Sequence, residues 1–179
     1  MKRTLFFLTL LIVSFDICIA KVYLKRDEAL KLSFPEATVI EKANVFLNGE
    51  EVNEIETISK VKNKSKLYVF YIGVKDDNIL GYAVIDTHVL RTKTETVLYV
   101  LNPDGSLNKV EILAFFEPQD YMPSGKWLNL FSGKDLNDTL RVGKDLPNIT
   151  GATITSNELS NSVRRILAVF QVARRNNKL

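Results

Sequence analysis

The sequence predicts an α+β fold, in which a single domain with a twisted antiparallel sheet, packed helices and a C-terminal amphipathic helix follows an N-terminal signal peptide. Three observations support this prediction. The middle of the 179-residue chain contains four β-branched and aromatic segments joined by short turns, which favours antiparallel pairing. The last part repeats apolar residues with helical spacing. The first 20 residues combine a basic start, an apolar run and a small-residue end, as export signals do.

The N-terminal segment has the features of a signal peptide. Met1–Arg3 is basic, Leu5–Phe15 is an apolar run, and Ala20 ends a stretch suited to cleavage. The run has 11 residues, whereas a helix that spans a bilayer needs about 20. We therefore expect a signal peptide at residues 1–20 and a mature domain at residues 21–179, located in the periplasm or another extracytoplasmic compartment. An uncleaved membrane anchor or a buried strand is the alternative.

Composition limits the chemistry that the mature domain can perform. The only cysteine, Cys18, lies in the predicted signal, which leaves no thiol for a disulfide, a metal ligand or a nucleophile. The single histidine, His88, excludes a histidine-rich site, so we expect no metal. Removal of the signal would leave 22 basic and 20 acidic residues, mixed along the chain. This balance is too mild to predict a nucleic-acid partner.

Turn and helix signals place the remaining elements along the chain. A short helix is predicted at residues 24–33, a strand at 38–47 and a second helix at 50–59. Four further strands are predicted at residues 66–74, 79–88, 95–102 and 107–116. These strands are apolar at most positions, so we expect both faces of the sheet to be covered in part.

The C-terminal helix is the clearest element of the sequence. Its apolar face is formed by Leu159, Val163, Ile166, Leu167 and Phe170. Thr155 followed by Glu158 has the pattern of a capping box, which predicts Thr155 as the N-cap of a helix over residues 156–175.

The turn before this helix, Thr150-Gly151-Ala152-Thr153, has the features of an anion site. A helix N-terminus carries unpaired amides and the positive end of the dipole, which together favour a phosphate. Gly151 and Ala152 keep bulky side chains away from the backbone, and Thr153 can donate to a phosphate or be joined to one. The alternative is a turn without a ligand.

The sequence TGATITS at residues 150–156 resembles the [ST]-G-A-T-x-[ST]-S element of the FMN-binding domain family. This domain occurs in the flavin-carrying subunits of the sodium-pumping NADH:quinone oxidoreductase and of the Rnf electron-transport complex. Residues 81–96 and 110–134 resemble single-domain members in order and approximate spacing. The resemblance implies FMN as the cofactor. It also implies that a flavin transferase, with FAD as donor, esterifies the FMN phosphate to Thr153.

A flavin attached at this turn would need an apolar surface for its ring. Trp127, Tyr121 and Phe131 lie in the irregular segment 117–135 and are candidates by residue type. The alternative is that these aromatic side chains pin the segment over the core.

His88 is a further candidate near the flavin ring, with the cations of Arg91 and Lys93 close behind it. These groups would stabilise a reduced anionic flavin or meet an anionic partner. The alternative is a hydrogen-bonded histidine at the end of a strand, with solvated basic neighbours.

The predicted function is an exported flavoprotein that carries FMN, with the turn residues and Thr155 at the cofactor. It would transfer electrons in the periplasm or at a membrane, to redox partner proteins or a membrane electron-transport complex. An electron carrier is favoured over a stand-alone enzyme, because the sequence shows no second substrate site. The alternatives are a flavin-free exported interaction module with the same fold and an FMN-dependent reductase with its own substrate.

Overall fold

A computed structural model describes residues 21–179, and the predicted signal peptide at residues 1–20 lies outside the described residues. The helices are α1 (Arg26–Ser33), α2 (Gly49–Ser59), α3 (Gly125–Leu128) and α4 (Thr153–Arg175). The strands are β1 (Lys21–Val22), β2 (Val39–Phe46), β3 (Leu67–Lys75), β4 (Asn78–Val89), β5 (Thr94–Leu101) and β6 (Leu107–Phe115). The predicted boundaries agree with these within two residues, except at the start of α4.

The six strands form one antiparallel sheet in the order β1-β6-β5-β4-β3-β2. Strands β3 to β6 are neighbours in sequence and in space, because short turns connect them. In the β4–β5 hairpin His88 lies opposite Glu95. Lys21 of β1 lies opposite Phe115 of β6, which in turn pairs with Glu95. The predicted α+β class with an antiparallel sheet is confirmed.

Helices cover both faces of the sheet, because successive side chains of a strand point to opposite faces. On one face α4 packs against buried residues such as Tyr99 and Phe115. On the other face Leu30 and Phe34, in and just after α1, pack in a smaller cluster. Phe34 fits closely because Gly73 has no side chain; a Cβ built there would lie 2.5 Å from Phe34 Cγ.

The C-terminal half of α4 and the residues just after it are fixed against α2. Arg164 donates a hydrogen bond to the carbonyl oxygen of Ser59, and Lys178 Nζ lies 2.7 Å from Glu51 Oε2. Arg175 forms an ion pair with Glu54 of α2. Within residues 21–179, no helix combines the length and apolar character that crossing a bilayer requires.

Candidate functional site

Helix α4 begins at Thr153, earlier than predicted. Ala152 is its N-cap and makes no side-chain capping bond, and the Ser156 amide donates to the Ala152 carbonyl oxygen at 3.0 Å. The predicted capping box of Thr155 and Glu158 is therefore wrong. Because helical hydrogen bonding already starts at Ala152, Thr155 lies inside the first turn, where only 1% of its surface is exposed.

Both threonines of the turn are exposed, whereas Thr155 inside α4 is not. Thr150 and Thr153 are exposed, whereas Ala152 and Thr155 are buried. Gly151 has a φ of 80°, a left-handed conformation that glycine adopts without steric cost. A Cβ built at Gly151 would meet no atom within 4 Å, so the space beside the backbone is open. A ligand can therefore approach the first turn of α4 closely.

Thr153 borders an open cleft of about 290 Å³. The other lining residues are Arg91, Tyr121, Gly151, Ala152, Ile154 and Thr155. The guanidinium carbon of Arg91 lies 5.1 Å from the centroid of the Tyr121 ring, a cation–π contact. The first amides of α4 have no intrahelical acceptor. A cation, a phenol ring, an exposed hydroxyl and backbone donors thus surround one space, and this set suits a phosphate ester joined to a flat ring.

A buried carboxylate fixes the loop that carries Arg91. Glu117 Oε1 accepts hydrogen bonds from the backbone amides of Thr92 and Lys93, each at 2.8 Å. Burial raises the pKa of Glu117, but the hydrogen bonds from the loop outweigh this effect and hold the pKa below its usual range. Glu117 is therefore ionised at neutral pH. The position of Arg91 beside Tyr121 depends on this contact.

Two of the three aromatic candidates lie in the core and not in the cleft. Trp127 is 6% exposed and Phe131 is fully buried, with ring centroids 5.3 Å apart in a T-shaped arrangement. Trp127 Nε1 donates to the Pro147 carbonyl oxygen at 2.9 Å, which ties the core to the chain just before the turn. These two residues fit the alternative in which aromatics pin the loop. Tyr121 is the one of the three that lines the cleft.

His88 belongs to a charge cluster that joins β4, β5 and α4. Its Nδ1 lies 3.1 Å from Asp86 Oδ2, and its Nε2 lies 2.8 Å from Glu95 Oε1. Asp86 Oδ2 also accepts from Ser162 Oγ and from Arg165 Nη2, each at 3.2 Å. The name charge cluster refers below to these five residues. His88 does not line the cleft.

Two carboxylates determine the proton affinity of His88. Burial lowers its pKa, but Asp86 and Glu95 outweigh this effect and raise the pKa to about 9. Burial raises the pKa of Glu95, and the contact with His88 offsets this only in part. Burial also raises the pKa of Asp86, but His88 and Arg165 bring it below its usual range. At neutral pH a charged imidazole therefore lies between two carboxyl groups.

Glu117 and the partners of His88 were not predicted from the sequence. A signal for Glu95 exists, because the predicted hairpin places it opposite His88. The sequence also contains a signal for Arg165, which is a cation beside the apolar stripe of α4. Arg165 is buried in the structure. Glu117 has no local pattern, because its partners Thr92 and Lys93 are 25 and 24 residues away in the chain.

Comparison with known proteins identifies the family of this chain. Residues 63–168, more than half of the chain, match the family model of the FMN-binding domain. The chain belongs to the FMN-binding domain family. One component of the Na⁺-translocating ferredoxin:NAD⁺ oxidoreductase complex of Acetobacterium woodii is 27% identical over 146 residues, which cover 74% of this chain and 70% of that protein. FMN is therefore the cofactor of this domain.

The residues of the cleft fit this cofactor. The phosphate of FMN carries the negative charge that Arg91 and the first turn of α4 attract. The apolar body of the ring can contact Tyr121 and Ile154, of which Ile154 is 48% exposed. The cleft volume of about 290 Å³ is at the lower end of ligand pockets, which measure roughly 300–1,000 Å³. A flavin bound there would keep part of its ring exposed.

Proposed function

We propose that this protein is an exported flavoprotein that carries FMN on Thr153 through a phosphoester bond and transfers electrons in the periplasm or at a membrane. The observation that carries the proposal is the exposure of Thr153 at the first position of α4, beside an open cleft. A hydroxyl enclosed in the core would have excluded attachment. Thr155 lies two residues further along the chain and is buried, which favours Thr153 as the attachment residue.

Attachment would require FAD and a flavin transferase. In that reaction Thr153 would supply the hydroxyl oxygen that becomes joined to the FMN phosphate, with AMP as the leaving group and the hydroxyl proton passing to solvent. The product is a phosphodiester with one negative charge. Arg91 and the free amides at the start of α4 would stabilise this charge. The transferase needs access to both the threonine oxygen and the backbone around it, and the open space beside Gly151 provides that access.

FMN, when bound, supplies one- and two-electron redox chemistry, while the protein sets its position and electrostatic surroundings. A cleft that encloses only part of the cofactor leaves a ring edge accessible to another protein. An electron carrier requires this access. The partners we propose are redox proteins or a membrane electron-transport complex. The similarity to a component of an oxidoreductase complex supports this proposal.

Intact mass tests the attachment. The protein is produced through its native export route together with an active flavin transferase. The parent should carry the added mass of one esterified FMN, and Thr153→Val should carry none. Thr150→Val is the matched control, because Thr150 is exposed in the same turn, and it should carry the full adduct.

Three outcomes would contradict parts of the proposal. An adduct on Thr153→Val but not on Thr150→Val would move the attachment to Thr150. A colourless, unmodified parent would support a flavin-free interaction module. Steady-state turnover of a soluble donor and acceptor by the purified protein alone would support an FMN-dependent reductase.

A further inference from the structure

The charge cluster contains a carboxylate oxygen without a hydrogen-bond partner. Glu95 is fully buried. Its Oε1 lies 2.8 Å from His88 Nε2 and forms an ion pair with the charged imidazole. Its Oε2 has no donor among the described residues. A buried carboxylate oxygen without a donor is costly as an anion, and a proton bound there removes this cost.

Charged and titratable groups from four elements lie in or beside the charge cluster. These groups are Asp86 on β4, Tyr99 on β5, Tyr68 on β3, and Glu158 and Arg165 on α4. Both tyrosines are neutral at physiological pH, because burial raises the pKa of each. With Glu95 ionised, the charge cluster contains two anions and two cations. When Glu95 binds a proton, the charge cluster therefore carries one excess positive charge.

The charge cluster lies close to the cleft. His88 precedes Arg91 by three residues, so their Cα atoms are at most about 10 Å apart along the chain. This limit applies to Cα atoms, and the charged side chains extend further. On α4, Glu158 follows the cleft residue Thr155 by about one turn. At an effective dielectric constant of about 20, a unit charge roughly 10–15 Å away changes the affinity of a site for a proton roughly tenfold. Negative charge in the cleft would therefore raise the proton affinity of His88 and Glu95.

We propose that Glu95 and His88 form a buried proton-binding pair that responds to negative charge in the neighbouring cleft. This inference rests on the proposed function, because FMN would introduce that charge. Each electron that an external reductant delivers to the cleft makes the surroundings of the pair more negative. Up to one proton from solvent then forms an O–H bond at Glu95 Oε2, or an N–H bond at His88 in alkaline solution, where the imidazole is neutral. When this uptake is complete, one proton enters with one electron and the net charge of the protein is unchanged.

The single histidine of the chain makes a direct test feasible. The imidazole of His88 is titrated by NMR between pH 6 and 11 in tag-free protein. The unloaded protein, the FMN-loaded oxidised protein and the same protein reduced with dithionite are compared. The proton affinity of His88 should be higher in the oxidised FMN-loaded protein than in the unloaded protein. Reduction of the loaded protein should raise it roughly tenfold further. Thr153→Val, produced with the transferase, should titrate like unloaded protein.

Proton uptake tests the role of Glu95. Reduction of loaded protein in weakly buffered solution at pH 7 is followed with a pH indicator. Glu95→Gln should take up fewer protons than the parent, and the flavin's own protonation cancels in this comparison. Glu111→Gln is the control, because Glu111 is a partly exposed carboxylate paired with Lys109, and its uptake should match that of the parent.

The outcomes separate this inference from the proposed function. An identical His88 titration in unloaded, oxidised and reduced protein would overturn the proton coupling and leave the flavoprotein assignment intact, because the mass still shows FMN. A parent without the added mass would refute both. If Glu95→Gln does not fold, the His88 titration of the parent decides by itself.

Discussion

Glu117 Oε1 lies 2.8 Å from the backbone nitrogen of Lys93, a residue 24 positions earlier in the chain. Through this contact the chain just after β6 supports the loop between β4 and β5. The same oxygen accepts from Thr92, so one carboxylate pairs with two adjacent amides of the loop. The loop carries Arg91. The contact with Glu117 therefore helps to position the Arg91 guanidinium at the cleft.

Removal of this carboxylate should destabilise the fold and release the loop. Glu117→Ala removes the acceptor of two partly buried hydrogen bonds. Hydrogen bonds to a charged acceptor are worth about 1.5–3 kcal/mol each, and solvent access to these amides places the loss at the lower end of that range. We expect a loss of about 3 kcal/mol in the free energy of unfolding, measured with urea. Glu117→Gln keeps a neutral acceptor and should lose about 1 kcal/mol, since neutral hydrogen bonds are weaker. Amide exchange at Thr92 and Lys93 should accelerate most in Glu117→Ala.

Glu111→Ala is the control for this pair of variants, since Glu111 is partly exposed and its ion pair with Lys109 lies on the surface. Such pairs contribute about 0–1 kcal/mol. Equal losses in Glu117→Ala and Glu117→Gln would show that the carboxylate does not hold the loop.

The stability of the protein should fall between pH 6.5 and about 9. The pKa of His88 is about 9 in the folded state, against 6.5 for an ordinary imidazole. The folded state therefore binds this proton more tightly, so the contribution to stability is complete below pH 6.5 and is lost as the pH rises through about 9. The loss is at most about 3 kcal/mol, from about 1.4 kcal/mol per pKa unit. Urea unfolding at pH 6, 7.5 and 9 measures it.

His88→Gln supplies the comparison for this pH dependence. Without the imidazole the loss of stability centred at about pH 9 should disappear, and Asp86 titrates below this window. Burial raises the pKa of Glu95, so any pH dependence that remains belongs to that carboxyl group. A parent as stable at pH 9 as at pH 6 would mean that His88 does not hold its proton more tightly in the folded state.

Trp127 should position the chain before the turn through its hydrogen bond to Pro147. Trp127→Phe removes this bond and part of a buried ring, so we expect a loss of about 2 kcal/mol in stability. It should also lower the fraction of protein that receives FMN after a short exposure to the transferase. Phe131→Leu is the matched control, because it removes the ring contact and keeps the hydrogen bond. Phe131→Leu should be less stable than the parent but should receive FMN to the same extent. Equal loading in both variants would contradict the positioning role.

Contacts that are local in sequence could be predicted, and contacts between distant segments could not. Most strands and helices appear at their predicted places, because apolar spacing and turn residues depend on near neighbours, but β1 and α3 were not predicted. The predicted start of α4 was wrong. Thr155 and Glu158 have the pattern of a capping box, but the helical backbone hydrogen bonds already begin at Ala152. The sequence alone does not show that this bonding begins earlier.

The surroundings of the candidate site illustrate the same limit. Thr153 could be singled out from a seven-residue motif, and its exposure was found only in the structure. The sequence could not show whether Trp127 contacts the flavin ring or lies in the core. Its position depends on a hydrogen bond to the Pro147 carbonyl, 20 residues away in the chain. The charge on His88 is set by Asp86 and Glu95 together, and their distances to the ring follow from the strand register.

The turn that carries Thr153 should depend on the left-handed backbone of Gly151. Gly151→Ala meets no steric obstacle, because an added Cβ has no neighbour within 4 Å. The cost is conformational, since a φ of 80° is unfavourable for alanine by about 1–2 kcal/mol. We expect this loss in urea unfolding, together with reduced FMN loading. Gly151→Asn is the control, because asparagine tolerates this conformation better than alanine, and it should lose less stability and load more FMN. A Gly151→Ala variant that matches the parent in both measurements would show that the turn does not require this backbone conformation.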